Sequence, residues 1–120
     1  MMTNAKIARE YDPEEKMSKA EAEWYRIGVS ELRRAMEILT KEVYYEPVTL
    51  KFGRLAYTPD FMHITLNNEI IFVEVKASRY QRGFDKTMVK IKAMAAAYPF
   101  FRYFTALQIN GGWNIKEMMP

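Results

Sequence analysis

Residues 57–78, YTPDFMHITLNNEIIFVEVKAS, contain the strongest strand signal in the chain and an anomaly within it. The run from Ile70 to Val75 is apolar enough for a strand buried inside a sheet, yet Glu74 interrupts it and Lys76 ends it. Because side chains alternate along a strand, these two charges point to the same face. Burying either charge alone costs several kcal/mol, so their presence points to a functional reason.

The loop before this strand decides whether a third charged residue, Asp60, meets Glu74. A two-residue turn at the paired asparagines of the loop would place the two acids on opposite faces of the sheet. A three-residue loop, residues 66–68, pairs Asp60 with Glu74 instead. Asn68 tolerates the left-handed conformation that such loops need. We therefore predict the three-residue loop or an equivalent bulge.

In that register Asp60 and Glu74 present carboxylate oxygens close together, and the carbonyl of Val75 and water molecules are further candidate ligands. Hard oxygen ligands with positions left for water and phosphate are typical of a Mg²⁺ site, and Mn²⁺ is expected to substitute. Lys76, on the same face, would position or deprotonate a water molecule or stabilise developing negative charge. The predicted chemistry is hydrolysis of a phosphodiester bond.

The remaining elements predict an α/β fold in which a mixed central sheet is flanked by helices, with an extra C-terminal strand. Ser18 and Glu21 have capping-box spacing at the start of the first helix. Pro47 makes the first strand an edge strand or breaks it, and Asp85 is a candidate N-cap for the second helix. The predicted elements are a helix over 17–40, strands over 43–52, 57–65 and 70–76, a helix over 84–97, and strands over 100–108 and 113–118.

The composition restricts the class of protein. With 120 residues, 49% of them hydrophobic, the chain predicts one domain over residues 18–120, preceded by a polar N-terminal arm over 1–17. It has no cysteine and one histidine, His63, which excludes disulfides, thiolate nucleophiles and metal clusters of Cys or His. No apolar run suits a membrane span or a signal peptide. We therefore expect a soluble, cytoplasmic protein without a membrane partner.

Basic residues are concentrated directly after Glu74. Between Lys76 and Lys92 the one acid is Asp85. Such clustering favours an anionic polymer as partner, although a solvated helix face is the alternative. The candidate contacts to DNA phosphates are Arg79, Arg82, Lys86 and Lys90.

Together these motifs resemble the PD-(D/E)XK nuclease superfamily, here as Pro59-Asp60 followed by Glu74-Val75-Lys76. The chain is also similar to small phage and prokaryotic members whose first helix opens with Ser-Lys-x-Glu, matched by residues 18–21. This resemblance implies that Glu21 joins the metal ligands, while helix capping is the competing explanation. Ala77 stands where a glycine commonly follows the motif lysine.

The resemblance implies a restriction-endonuclease-like αβββαβ core over about residues 18–108 and a Mg²⁺-dependent DNA endonuclease. Because no separate DNA-reading domain is predicted, we expect structure-selective or weakly sequence-specific cutting, of the junction-resolvase or nicking type. A catalytically inactive nucleic-acid-binding domain of the same fold and an RNA-directed nuclease remain alternatives. A homodimer would bring two sites to two strands, but the sequence does not determine it. The expected location is the cytoplasm of a prokaryotic or phage-infected cell.

Overall fold

The structure is a computed structural model that describes residues 13–120. It has a mixed α/β fold, as predicted, and most of the predicted N-terminal arm lies outside the described residues. The elements are a short 3₁₀ helix (Pro13–Lys16), α1 (Lys19–Met36), β1 (Thr40–Tyr45), β2 (Leu50–Phe52), β3 (Leu55–Tyr57), β4 (Phe61–Thr65), β5 (Ile70–Lys76), α2 (Phe84–Ala97), β6 (Arg102–Ile109) and β7 (Gly112–Glu117). No helix within residues 13–120 is long and apolar enough to cross a bilayer.

The main sheet has five strands in the order β1-β4-β5-β6-β7. The β5–β6 pair is parallel and the other pairs are antiparallel, which makes the sheet mixed, as predicted. Strand β5 lies in the middle, and helix α1 covers one face of the sheet. Helix α2 and the separate β2–β3 hairpin cover the other face.

The burial of both faces explains the nearly continuous apolar run of β5. Ile71, Val73 and Val75 join the core beneath α1, whereas Phe72 joins the core beneath α2. Glu74 and Lys76 have the parity of Phe72, so they belong to the α2 face of the sheet. The predicted division of this strand into two faces is therefore confirmed.

Helix α1 begins with the predicted capping box. The Ser18 hydroxyl accepts a hydrogen bond from the Glu21 N–H at 3.1 Å, and Glu21 Oε1 accepts one from the Ser18 N–H at 2.9 Å. The helix ends at Met36, earlier than predicted, because Glu37 adopts a left-handed conformation with φ 57°. This is a common way for a helix to close its last turn.

Gly28 provides the space for a tryptophan of α1. A Cβ atom at position 28 would approach the Trp24 ring to 2.6 Å. Trp24 is fully buried, and its Nε1 donates a hydrogen bond to His63 Nε2 at 3.1 Å. The neutral His63 ring therefore carries its proton on Nδ1, which lies 3.4 Å from the Thr40 hydroxyl oxygen. We call these three polar residues, Trp24, Thr40 and His63, the histidine cluster.

Two predicted strands are each interrupted. The predicted strand over 43–52 is divided between β1 and β2, with the break at Pro47 that the sequence allowed, and the predicted strand over 57–65 is divided between β3 and β4. Proline has no N–H for the ladder, and Pro59 lies in the second break. The freed segments pair with each other as the β2–β3 hairpin.

The predicted N-cap of the second helix is wrong. Gly83, with φ 80°, is the N-cap of α2 and makes no side-chain capping bond. Asp85 lies in the first turn of α2, where its negative charge interacts favourably with the positive end of the helix dipole.

Candidate active site

The loop between β4 and β5 has three residues, as predicted. The Thr65 N–H donates to the Glu69 carbonyl at 3.0 Å, which closes the loop around residues 66–68. Asn68 has φ 64°, in the left-handed region that asparagine tolerates. The odd number of loop residues fixes which side chains of the two strands share a face.

This register brings Asp60 beside Glu74. Phe61 pairs with Val73, so the next position outward sets Asp60 opposite Glu74. Asp60 Oδ2 also accepts a hydrogen bond from the Val75 N–H at 2.8 Å. Although Asp60 precedes the first residue of β4, its carboxyl group is therefore held against β5.

The Glu74 carboxylate has a different partner on each oxygen. The Tyr57 hydroxyl donates to Oε1 at 2.7 Å, and Lys76 Nζ lies 3.4 Å from Oε2. Glu74, Lys76 and Asp60 are 6%, 7% and 8% exposed. The two charges that seemed misplaced in the sequence therefore form one buried group with Asp60, which we call the acidic cluster (Asp60, Glu74 and Lys76).

Burial raises the pKa of the Asp60 carboxyl, and the neighbouring Glu74 carboxylate raises it further, while the Val75 N–H partly opposes both effects. Burial also raises the pKa of Glu74, against the lowering effects of the Tyr57 hydroxyl and the Lys76 ammonium. Without a cation, the two carboxyl groups therefore favour sharing a proton. A divalent cation would replace that proton and relieve the repulsion between the two carboxylates.

Glu21 of α1 lies next to the acidic cluster. Its Oε1 accepts a hydrogen bond from the Tyr45 hydroxyl at 3.1 Å in addition to the capping bond from Ser18. Its charge and a side-chain hydrogen bond raise the pKa of Asp60. Glu21 is thus both a helix cap and a neighbour of the acidic cluster, so the two explanations given by the sequence are compatible.

These side chains line a common cavity of about 590 Å³ beside the start of α1 and the end of β5. We call it the acidic cavity. Its walls include every residue that the sequence proposed for catalysis or for the metal, together with an exposed tyrosine, Tyr80. The proposed residues among them are Glu21, Asp60, Glu74, Val75 and Lys76.

The chemistry of this donor set fits a hard divalent cation. Asp60 and Glu74 supply adjacent carboxylate oxygens, and Val75, which lines the same cavity, is a source of a carbonyl oxygen. Within the described residues, no group of three or more His, Cys, Asp or Glu side chains is arranged to hold a metal ion. A cation would therefore depend on this carboxylate pair together with a carbonyl and water, and Glu21, which also lines the cavity, is the candidate ligand from α1.

The structure separates the predicted DNA contacts. Arg79 lines a second cavity next to the acidic cavity, whereas Arg82, Lys86 and Lys90 line neither of the two. His63 is fully buried beneath α1 and lines neither cavity. Arg79 therefore lies beside the acidic cavity, and contact of all four basic residues with DNA stays a prediction.

Sequence reasoning missed the two tyrosines that hold the glutamates. Tyr57 orients Glu74, and Tyr45 orients Glu21. Tyr57 stands three residues before Asp60 in the same Pro-Asp motif, which was the available signal. Its partner lies in another strand, and the pairing became visible only with the β2–β3 hairpin in place.

Comparison with known proteins adds little to this picture. No protein-family model matches the chain, and no curated protein matches it. Among solved structures, that of the protein SSO0001 aligns with a TM-score of 0.38 and 14% identity. The alignment covers 98% of this chain, which spans 58% of the length of that structure.

Proposed function

We propose that this protein is a Mg²⁺-dependent DNA endonuclease of the PD-(D/E)XK superfamily. One observation carries the proposal: the three-residue loop sets Asp60 opposite Glu74, with Lys76 beside them on the wall of a cavity. Buried charges of this kind are costly for stability, and their convergence on an open cavity favours a chemical role.

Asp60 and Glu74 would hold the cation, with the carbonyl of Val75 and the carboxylate of Glu21 as further ligands. The bound ion would supply charge neutralisation at the scissile phosphate and a lower pKa for a coordinated water molecule. Tyr57 fixes Glu74 Oε1 through a 2.7 Å hydrogen bond, which leaves Oε2 toward Lys76. Such partners keep a metal-ligating carboxylate in one orientation.

Lys76 has the position of the electrostatic catalyst. Its ammonium group is buried beside Glu74 and borders the acidic cavity, so little water screens its charge. It would donate a hydrogen bond to a phosphate oxygen as negative charge develops there. In the overall reaction water adds to phosphorus, the bond from phosphorus to the leaving oxygen breaks, and that oxygen takes up a proton.

DNA is the proposed substrate, cut with selectivity for structure more than for sequence. Support comes from the basic residues that follow Lys76, such as Arg79, which suit phosphate groups rather than base edges. A homodimer acting on two strands in the cytoplasm of a prokaryotic or phage-infected cell is part of the proposal.

The test is a cleavage assay with matched variants. Purified protein is incubated with supercoiled plasmid, single-stranded DNA, a four-way junction and an RNA strand, each with Mg²⁺, Mn²⁺ or EDTA. We expect metal-dependent cutting of at least one DNA substrate, its loss in Lys76→Ala, and its retention in Lys51→Ala. Lys51 is an exposed lysine on β2 that lines neither cavity.

Each alternative predicts a different outcome. Cutting of RNA alone would identify an RNA-directed nuclease. Binding of nucleic acid without cutting under any metal condition would indicate an inactive domain of the same fold and would overturn the proposed activity.

A further inference from the structure

A second cavity of about 600 Å³ lies on the other side of Lys76. It is bounded by residues 84–92 of α2, by the end of β5 and by residues of β6 and β7, and we call it the basic groove. Lys76 and Tyr80 line both the acidic cavity and the basic groove. A ligand that reaches the acidic cluster can therefore continue into the groove past these two side chains.

The charge of the basic groove suits phosphate. Of the described residues that line it, four are basic and one, Asp85, is acidic. Three of these basic residues belong to the basic run over 76–92, and the fold adds the fourth from a distant strand. They are Lys76 on β5, Arg79 in the turn that follows, Lys92 on α2 and Lys116 on β7.

The rest of the groove suits a nucleobase. Met88, Leu107 and Met118 contribute apolar side chains to its walls, and Phe84 contributes an aromatic ring. At the border with the acidic cavity, Tyr80 is 89% exposed. An exposed aromatic ring beside cationic side chains is the combination by which proteins stack unpaired bases and hold their phosphates.

The sheet register aligns the groove with the acidic cluster. Glu74 pairs with Thr105 on β6, and Thr105 pairs with Lys116 on β7. Paired residues share a face, so Lys116 lies two strand spacings from Glu74, roughly 10 Å away. A single nucleotide strand bound at the acidic cluster is therefore well placed to contact Lys116.

We infer that the basic groove holds an unpaired nucleotide of the DNA strand, next to the phosphate that is cut. This inference rests on the proposed function and specifies its substrate class as single-stranded DNA or a duplex with an unpaired flank. A paired base cannot enter, because its faces are already stacked and its edge is hydrogen-bonded within the duplex. The basic side chains hold the backbone while Tyr80 and the apolar wall hold the base.

The test measures binding in EDTA, where no metal-dependent cutting takes place. Fluorescence anisotropy gives the Kd of a labelled oligothymidylate and of a fully paired duplex of the same length, over a range of salt concentrations. Tyr80→Ala should weaken binding of the single strand by about fivefold or more, the effect of losing one stacked base. Lys116→Ala should reduce the salt dependence of single-strand binding by about 0.7 in log–log slope, the value of one phosphate contact.

Two matched variants control for the loss of an exposed ring or charge. Phe100 is 72% exposed and lines neither cavity, so Phe100→Ala should bind as the wild type does. Lys51→Ala serves the same purpose for the lysine. Circular dichroism of every variant verifies the fold.

The outcomes separate this inference from the proposed activity. If Tyr80→Ala and Lys116→Ala bind the single strand like the wild type, or lose duplex binding to the same extent, the inference is overturned even though the wild type cuts DNA. If the wild type cuts nothing but these variants selectively lose single-strand binding, the groove is supported and the activity fails.

Discussion

Two largely buried polar groups lie on opposite faces of the same sheet, and they differ in charge and in access to a cavity. The histidine cluster beneath α1 is neutral and internally hydrogen-bonded, and its Trp24 and His63 side chains are fully buried. The acidic cluster on the α2 face carries charges of both signs and borders a cavity. No buried side-chain nitrogen or oxygen among the described residues lacks a partner, so satisfaction of hydrogen bonds does not distinguish the two clusters.

The difference teaches that a buried titratable side chain marks a functional site only when charge and access accompany it. Burial lowers the pKa of His63 to about 4, which keeps the ring neutral at ordinary pH. Burial raises the pKa of Asp60, and the negative charge of the neighbouring Glu74 adds to that effect. The first perturbation keeps a core side chain neutral, whereas the second reflects a charge repulsion that a bound cation would relieve.

The largest expected effect comes from Lys76→Ala. Removing the ammonium group should lower the cleavage rate by about a hundredfold to a thousandfold, the usual cost of losing one preorganised donor in the transition state. DNA binding should stay within a few-fold of the wild type, because several other basic residues remain. Plasmid nicking and fluorescence anisotropy measure the two quantities. Normal cutting by the variant would show that Lys76 has a structural role only, as the residues of the histidine cluster do.

His63→Ala should act on stability instead of on chemistry. The change leaves a cavity in a fully buried site and an unpaired Trp24 N–H, which together should lower the free energy of unfolding by about 4 kcal/mol. Urea denaturation measures the loss, and cleavage assays well below the melting temperature should give nearly the wild-type rate. A strong loss of activity in a folded variant would instead connect His63 to the site.

Acid should destabilise the folded protein through His63. The pKa of His63 is about 4 in the folded protein and near 6.5 in the unfolded chain, so between these values the unfolded state binds more protons. The stabilisation is present above pH 6.5 and is lost as the pH falls toward 4, by roughly 3 kcal/mol in total. Urea titrations of wild type and His63→Gln across this range isolate the contribution, since other groups titrate in both. Parallel pH profiles would contradict the assignment.

A smaller effect of opposite sign is expected at Asp60. Asp60→Asn removes one of two neighbouring buried carboxyl groups while keeping an oxygen for the Val75 N–H, so the metal-free protein should gain about 1–2 kcal/mol. Thermal unfolding in EDTA should show a higher Tm, and Mg²⁺ should raise the Tm of the wild type more than that of the variant. A lower Tm in EDTA would mean that Asp60 is a structural partner, as His63 is.

The sequence predicted those features that depend on neighbouring residues. Ser18 and Glu21 form their capping box within one turn, and the three-residue loop follows from strand periodicity and the tolerance of Asn68 for the left-handed conformation. The alternation of β5 located Glu74 and Lys76 on one face. Local rules of this kind need no knowledge of the rest of the fold.

The features that it missed depend on segments that meet only in the folded chain. Tyr57 reaches Glu74 because Pro59 breaks the strand and releases β3 into its own hairpin. Lys116 joins the basic groove through the pairing of β7 with β6, far along the chain from Lys76. The spacing of these residues along the chain does not predict such contacts. They depend on tertiary packing, which overrides local conformational preference.

The length of the loop over residues 66–68 limits which changes in sequence this protein can tolerate over generations. Substitutions at Leu66 and Asn67 should be tolerated, and glycine or aspartate could replace Asn68 where the backbone has φ 64°. The loss or gain of one residue has a larger effect. It would shift the register of β4 against β5 by one residue and turn Asp60 to the face of the sheet opposite Glu74. In descendants of this protein, the length of the loop should therefore vary less than its amino-acid sequence.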